Sequence, residues 1–186
     1  MGNISFLTGE NASSSQSIEE SIYQLENASL IFMVAWQSEP KDFTRASRAS
    51  DEAMMHLDHI VNEILRARDH RKSAGTYVNS MLASQLDIDR AKWVNPVTRA
   101  QQQALVLQGP GNGLLPSDGS PLAMKKLLTK IKHRRPEGSN FRISASNEHF
   151  FLVAVDSSRQ QPDSIVEFIV SEFCSHCSNI APLLQV

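Results

Sequence analysis

Cysteine is nearly absent from this chain of 186 residues: it has two, Cys174 and Cys177. So few exclude a disulfide scaffold and suit a reducing compartment. Long apolar runs are also lacking, and none approaches the ~18 residues that suggest a membrane span. Met1–Gln16 has neither the basic start nor the apolar centre of a secretion signal. A soluble cytoplasmic protein without membrane attachment is therefore expected. The Asn-x-Ser triplets at Asn3, Asn11 and Asn27 matter only in secreted chains. Gly2 lacks the Ser or Thr at position 6 that acylation prefers, because Phe6 stands there. Charge of one sign is missing too. Eighteen Lys and Arg against twenty Asp and Glu give a net charge of −2. Any binding signal must lie in how that charge is distributed.

Apolar residues make up 41% of the chain and charged residues 20%, both near globular averages. A chain of this length buries a core without help from disulfides or metal. The spacing predicts one α+β domain, predominantly helical: a long N-terminal helical hairpin, shorter helices, then a β-hairpin packed by a C-terminal helix. Residues 1–16 read as a flexible lead-in and 17–107 as a helical region. A Gly/Pro loop spans 108–121. The basic helix, hairpin and last helix occupy 122–186.

Ser17 with Glu20 forms a capping box, each side chain positioned to satisfy a free N–H at a helix start. Ile18, Ile22, Leu25, Phe32 and Trp36 then recur in steps of four and three, one apolar helical face. Pro40 breaks the pattern. Ala46, Ala53, Leu57, Ile60 and Ile64 resume it in a second helix over 42–72. His56 and His59 fall beside its charged face and read as surface residues. A short helix is expected over 76–86. Asn95-Pro96 and Ser120-Pro121 each look like a cap followed by proline at the first helical position. Phe141, Ile143 and Ala145 alternate with polar residues, and Phe150–Val155 is continuously apolar, which predicts the hairpin. Ser164 with Glu167 reads as a second capping box. It opens a stripe of Val166, Val170, Phe173, Cys177, Ile180 and Leu184.

Three sets of residues carry chemistry. The first is basic. Lys125, Lys126, Lys130, Lys132, Arg134, Arg135 and Arg142 are opposed only by Glu137. Seven cations against one carboxylate give +6, leaving −8 for the rest. Such polarity is the footprint of phosphate contacts, so nucleic acid or another polyanion is the expected partner. A solvated helix face with cations near its C-terminal dipole is the plainer account. The second set is Arg142 and His149, with six residues between them. Long N-terminal helices and this spacing beside a basic segment resemble HEPN-type ribonucleases and toxins. The resemblance implies that Arg142 and His149 act on an RNA 2′-OH and phosphate.

The third set is Cys174-Ser-His-Cys177 with Ala181-Pro182 after it. This stretch resembles the active-site segment of thioredoxin-like oxidoreductases. The resemblance implies an apolar strand running into C-x-x-C at a helix start, Cys174 as attacking thiol and Cys177 as resolving thiol. The helical stripe instead makes Cys177 a core residue. One C-x-x-C with His176, His133 or His149 falls short of the two ligand pairs of structural zinc, so neither metal nor cofactor is expected. Finally, the sustained periodicity over 18–67 suits a helical face through which the chain self-associates as a homo-oligomer.

Overall fold

The computed structural model describes residues 17–156 and 163–184. The lead-in expected over 1–16 lies outside them. Helix α1 spans Ile18–Gln37 and α2 spans Phe43–Ser73. The Ser17 hydroxyl accepts from the Glu20 N–H at 3.1 Å, while the Glu20 carboxylate turns to Gln24 instead of closing the box. Asp42 caps α2 through the Arg45 N–H. The two helices fold back on one another, with Ala28, Ala35, Ala46, Ala49 and Ala53 buried. Small side chains there allow close approach of the backbones.

Helix α3 is Met81–Leu86, capped by Ser80, so the helix expected over 76–86 begins five residues late. Strand β1, Asp89–Val94, follows it. The helix expected at Asn95 begins three residues later. Thr98 caps α4, Arg99–Leu107, in a full capping box with Gln101. Ser120-Pro121 does not open a helix. It lies in strand β2, Ser120–Ala123, which among the described residues pairs only with β1, and a sheet edge tolerates the missing proline N–H. Helix α5, Met124–Lys132, follows directly.

Strands β3 (Arg134–Ile143) and β4 (His149–Val155) form the expected hairpin, turned at Asn147 with φ of 59°. Asn is among the few residues that accept this left-handed conformation. The hairpin is part of a larger sheet, however. Strand β5, Ser164–Ile169, occupies the segment read as the start of the last helix. The order is β2-β1-β5-β4-β3, with every pairing antiparallel. Helix α6, Val170–Ile180, closes the chain with a 3₁₀ turn at Ala181–Leu183.

The fold is thus mixed α+β, with a five-stranded antiparallel sheet where a two-stranded hairpin was expected. One sheet face carries Phe151, Val153, Val155, Val166 and Phe168, and the α1–α2 pair, α3, α5 and α6 cover it. On the other face, Leu105 of α4 and Val97 cover Leu152 and Ile165. Phe173 is fully buried where α6 meets the sheet, its ring 5.4 Å from that of Phe168. Phe173→Ala should therefore cost about 3–5 kcal/mol. Urea unfolding would show this as a large drop in midpoint with an unchanged slope, and a loss below ~1 kcal/mol would place the core elsewhere.

Candidate functional site

The basic segment is largely neutralised by carboxylates distant in sequence. Lys125 Nζ lies 2.5 Å from Asp87. Arg134 makes a forked pair with Asp58, at 2.6 and 3.0 Å, and its side chain is only 14% exposed. Arg135 reaches Glu137 at 3.0 Å and Asp156 at 3.7 Å. Arg142 pairs with Glu167. Seven cations thus stand among five carboxylates. Lys126 and Lys130 each place their ammonium 5.5 Å from the Trp93 ring centroid. Lys130 is buried, and that burial, with Lys126 beside it, lowers its pKa.

What stays open is the outer arc of α5. Lys126, Thr129, Lys132 and His133 are all exposed there, and Lys125 at its edge is taken up by Asp87. The apolar residues Leu127, Leu128 and Ile131 turn inward and fix which face is presented.

The hairpin separates Arg142 from His149. Arg142 pairs with Phe150 and Ile143 with His149, so the two side chains leave opposite faces of the sheet. Arg142 lies 3.8 Å over the Phe150 ring on the face that carries Glu167. His149 stacks on Phe32 of α1 at 5.1 Å, with Nδ1 2.8 Å from Ser29 Oγ. They do not form one site, and the arrangement implied by the ribonuclease resemblance is not present. The cavity beside His149 is apolar and holds about 50 Å³.

The cysteines are the fifth and eighth residues of α6, past the first turn where a helix dipole stabilises a thiolate. Both are buried. Burial, with Glu26 nearby, pushes Cys174 up to about 12, and burial raises Cys177 as well. An activated thiol needs the opposite shift. A strand does run into the helix, as the thioredoxin resemblance implies, but it delivers the pair into the core. The histidines of α2 also differ from expectation. His56 is 3% exposed, and His59 Nδ1 lies 2.7 Å from Ser21 Oγ of α1. Among the described residues no group of three His, Cys, Asp or Glu could hold a metal ion. None of the described helices is long and apolar enough to cross a membrane.

One site has no trace in the sequence patterns. Helix α4 covers only part of its sheet face. The remainder is a cleft of about 510 Å³ that includes Lys92, Arg142, Phe150, Glu167 and Glu172. Glu167 is 8% exposed, and Arg142 compensates its buried charge. The alternation of Arg90-Ala91-Lys92-Trp93 along β1 was the one signal that bore on it.

No protein-family model matches the chain, and neither a curated protein nor a solved structure matches it.

Two measurements follow from these placements. Both thiols should react with an alkylating reagent roughly a thousandfold more slowly than a free cysteine until the chain unfolds; fast labelling of the native protein would contradict their burial. His149 is lowered to about 4 by burial. The unfolded chain takes up that proton near pH 6.5 and the folded one does not. Stability is then complete above pH 6.5 and falls as the pH drops toward 4, by about 2 kcal/mol at pH 5. His176, also lowered, adds in the same direction. His149→Gln should remove most of that slope in urea titrations, and an unchanged slope would take His149 out of the account.

Proposed function

We propose that this is a binding protein that engages nucleic acid or another polyanion through the exposed arc of α5. The observation that carries this reading is the row of Lys126, Lys132 and His133, exposed and, among the described residues, without an ion pair to a carboxylate. Phosphates spaced along a strand match such a row, and each neutralised phosphate releases counterions. Lys125, Arg134, Arg135 and Arg142 belong to the fold in this reading, since their charges already face carboxylates. Lys130 and Trp93 support the row from beneath. A cytoplasmic setting, where polyanions are plentiful, goes with this function.

Fluorescence anisotropy with single-stranded RNA and duplex DNA at two salt concentrations tests it. Two lysine contacts predict a slope of log K against log salt of about −1.4 to −1.8. Lys126→Glu with Lys132→Glu should abolish binding, whereas Arg135→Gln should leave it within about twofold. Absence of binding at low salt would reduce the arc to a solvated surface.

A second reading, self-association, rests on α1. Tyr23, Leu30, Ile31 and Val34 are exposed along its outer side, opposite the face buried against α2. Apolar contact between two copies would persist as salt rises, unlike phosphate contact. Leu30→Glu with Val34→Glu should convert any dimer seen by light scattering to monomer. A wild type that is monomeric at high concentration would remove this reading.

A further inference from the structure

The part of the sheet that α4 leaves open has a defined floor. Ile169, Phe150 and Arg142 lie in one row across β5, β4 and β3, because Phe150 pairs with both of the others. Glu167 and Lys92 pair directly across β5 and β1 in the next row. All five side chains leave the same face, and all five line the cleft of about 510 Å³. That volume is of the size that holds a small molecule. The Arg142 guanidinium carbon sits 3.8 Å over the Phe150 ring centroid. At that separation the guanidinium lies flat on the ring, and its N–H groups point along the floor.

The ion pair at the centre of this face is only half engaged. Arg142 Nη1 donates to Glu167 Oε2 and, at 3.4 Å, to the Gly113 carbonyl. Arg134, by contrast, grips both oxygens of Asp58 in a fork, so that pair closes on itself. Among the described residues nothing partners Glu167 Oε1, Arg142 Nε or Arg142 Nη2. None of these three atoms is sealed from solvent. Glu167 is only 8% exposed, and the cleft is where that remaining surface opens. A nearly buried acceptor and the unused edge of its guanidinium partner therefore meet at one cleft.

The charge of the lining defines the ligand. It carries three cations and three carboxylates, so an ion of either sign meets as much repulsion as attraction. A neutral group with an N–H beside a C=O engages both halves of the ion pair. Its N–H donates to Glu167 Oε1, and its C=O accepts from Arg142. Hydrogen bonds to charged partners are the stronger kind. The flat floor of Ile169 and Phe150 admits a planar ring. We propose that this cleft is a site for a small planar cyclic amide, the edge presented by oxo-pyrimidine and oxo-purine bases. The ring lies over Ile169 with its amide edge turned to Glu167 and Arg142. Lys92, exposed beside Glu167, supplies a donor for a second ring carbonyl. The site lies on the sheet face away from α5 and does not rest on the polyanion reading.

The test is a titration of the full chain, uniformly labelled with ¹⁵N, with uracil and hypoxanthine. The controls are 1,3-dimethyluracil, which keeps the ring but has no N–H, and acetate. At least one of the two bases should shift the backbone amides of Lys92, Phe150, Glu167 and Ile169 in a saturable way. It should bind about tenfold or more tighter than 1,3-dimethyluracil. Glu167→Gln keeps an acceptor for Arg142 but loses the charge, and should weaken binding about tenfold. Ile169→Trp fills the floor without touching the ion pair and should abolish binding. It remains informative if Glu167→Gln destabilises the fold, and a urea midpoint for each variant separates the two effects. Dimethyluracil binding as tightly as the bases would overturn the proposal in favour of ring stacking alone, and acetate doing so would favour an anion site. Unchanged affinity in Ile169→Trp would move the ligand off this floor and overturn it too. No shift with either base would overturn it in favour of water as the occupant.

Discussion

Strand β5 is hydrogen-bonded to neighbours on both edges and covered on both faces, and the other elements are arranged around that demand. Ile165 points to α4, and Val166 and Phe168 point to the helical layer. A strand with so little open surface can carry a charge only if a partner comes with it. Glu167 accordingly lies under Arg142, drawn from β3 across the width of β4. The same requirement explains why α4, alone among the described helices, sits on the other face, over Ile165 and Leu152. It also explains why α6 follows β5 without a connecting loop: the strand ends where the helix must turn back over the core.

The helices were legible because each has one wet side. In α1, α2 and α5 the apolar residues recur every three or four positions, and caps such as Ser17 mark the starts. Strand β5 was not legible for the opposite reason. With both faces buried it has no alternation, and its apolar run continues without a break into that of α6. Val166 and Val170 then look like successive turns of one helix. Strand β1 was hidden by its charges, since Arg90 and Lys92 interrupt a segment whose Ala91 and Trp93 pack inward. At Asn95-Pro96 and Ser120-Pro121 the dipeptide that favours a helix start equally suits a bend or an edge strand. Only tertiary pairing decides between them.

The candidate sites show the same limit in a different form. Counting charges along the chain gave a concentrated basic block, but the carboxylates that answer it come from positions 58, 87, 156 and 167. The separation of Arg142 and His149 would place them on one side of a helix. Across a hairpin whose register pairs Ile143 with His149, it places them on opposite sides of a sheet. The Glu167 cleft depends on how β1, β5, β4 and β3 pair, and strand register has no signature in a single sequence.

The sheet order also bears on how the protein behaves when crowded. Phe150–Val155 is an uncharged, β-prone hexapeptide of the kind that stacks into fibrils when exposed. It occupies an interior lane, flanked by β3 and β5, so its backbone is already fully spoken for. The lanes that face outward are poorer templates. Strand β2 has four residues including Pro121, and β3 has an irregular register between Arg134 and Ser139. The outer lane β3 thus acts as a guard rail, and peeling it away is the event that would open the hexapeptide to other copies of the chain.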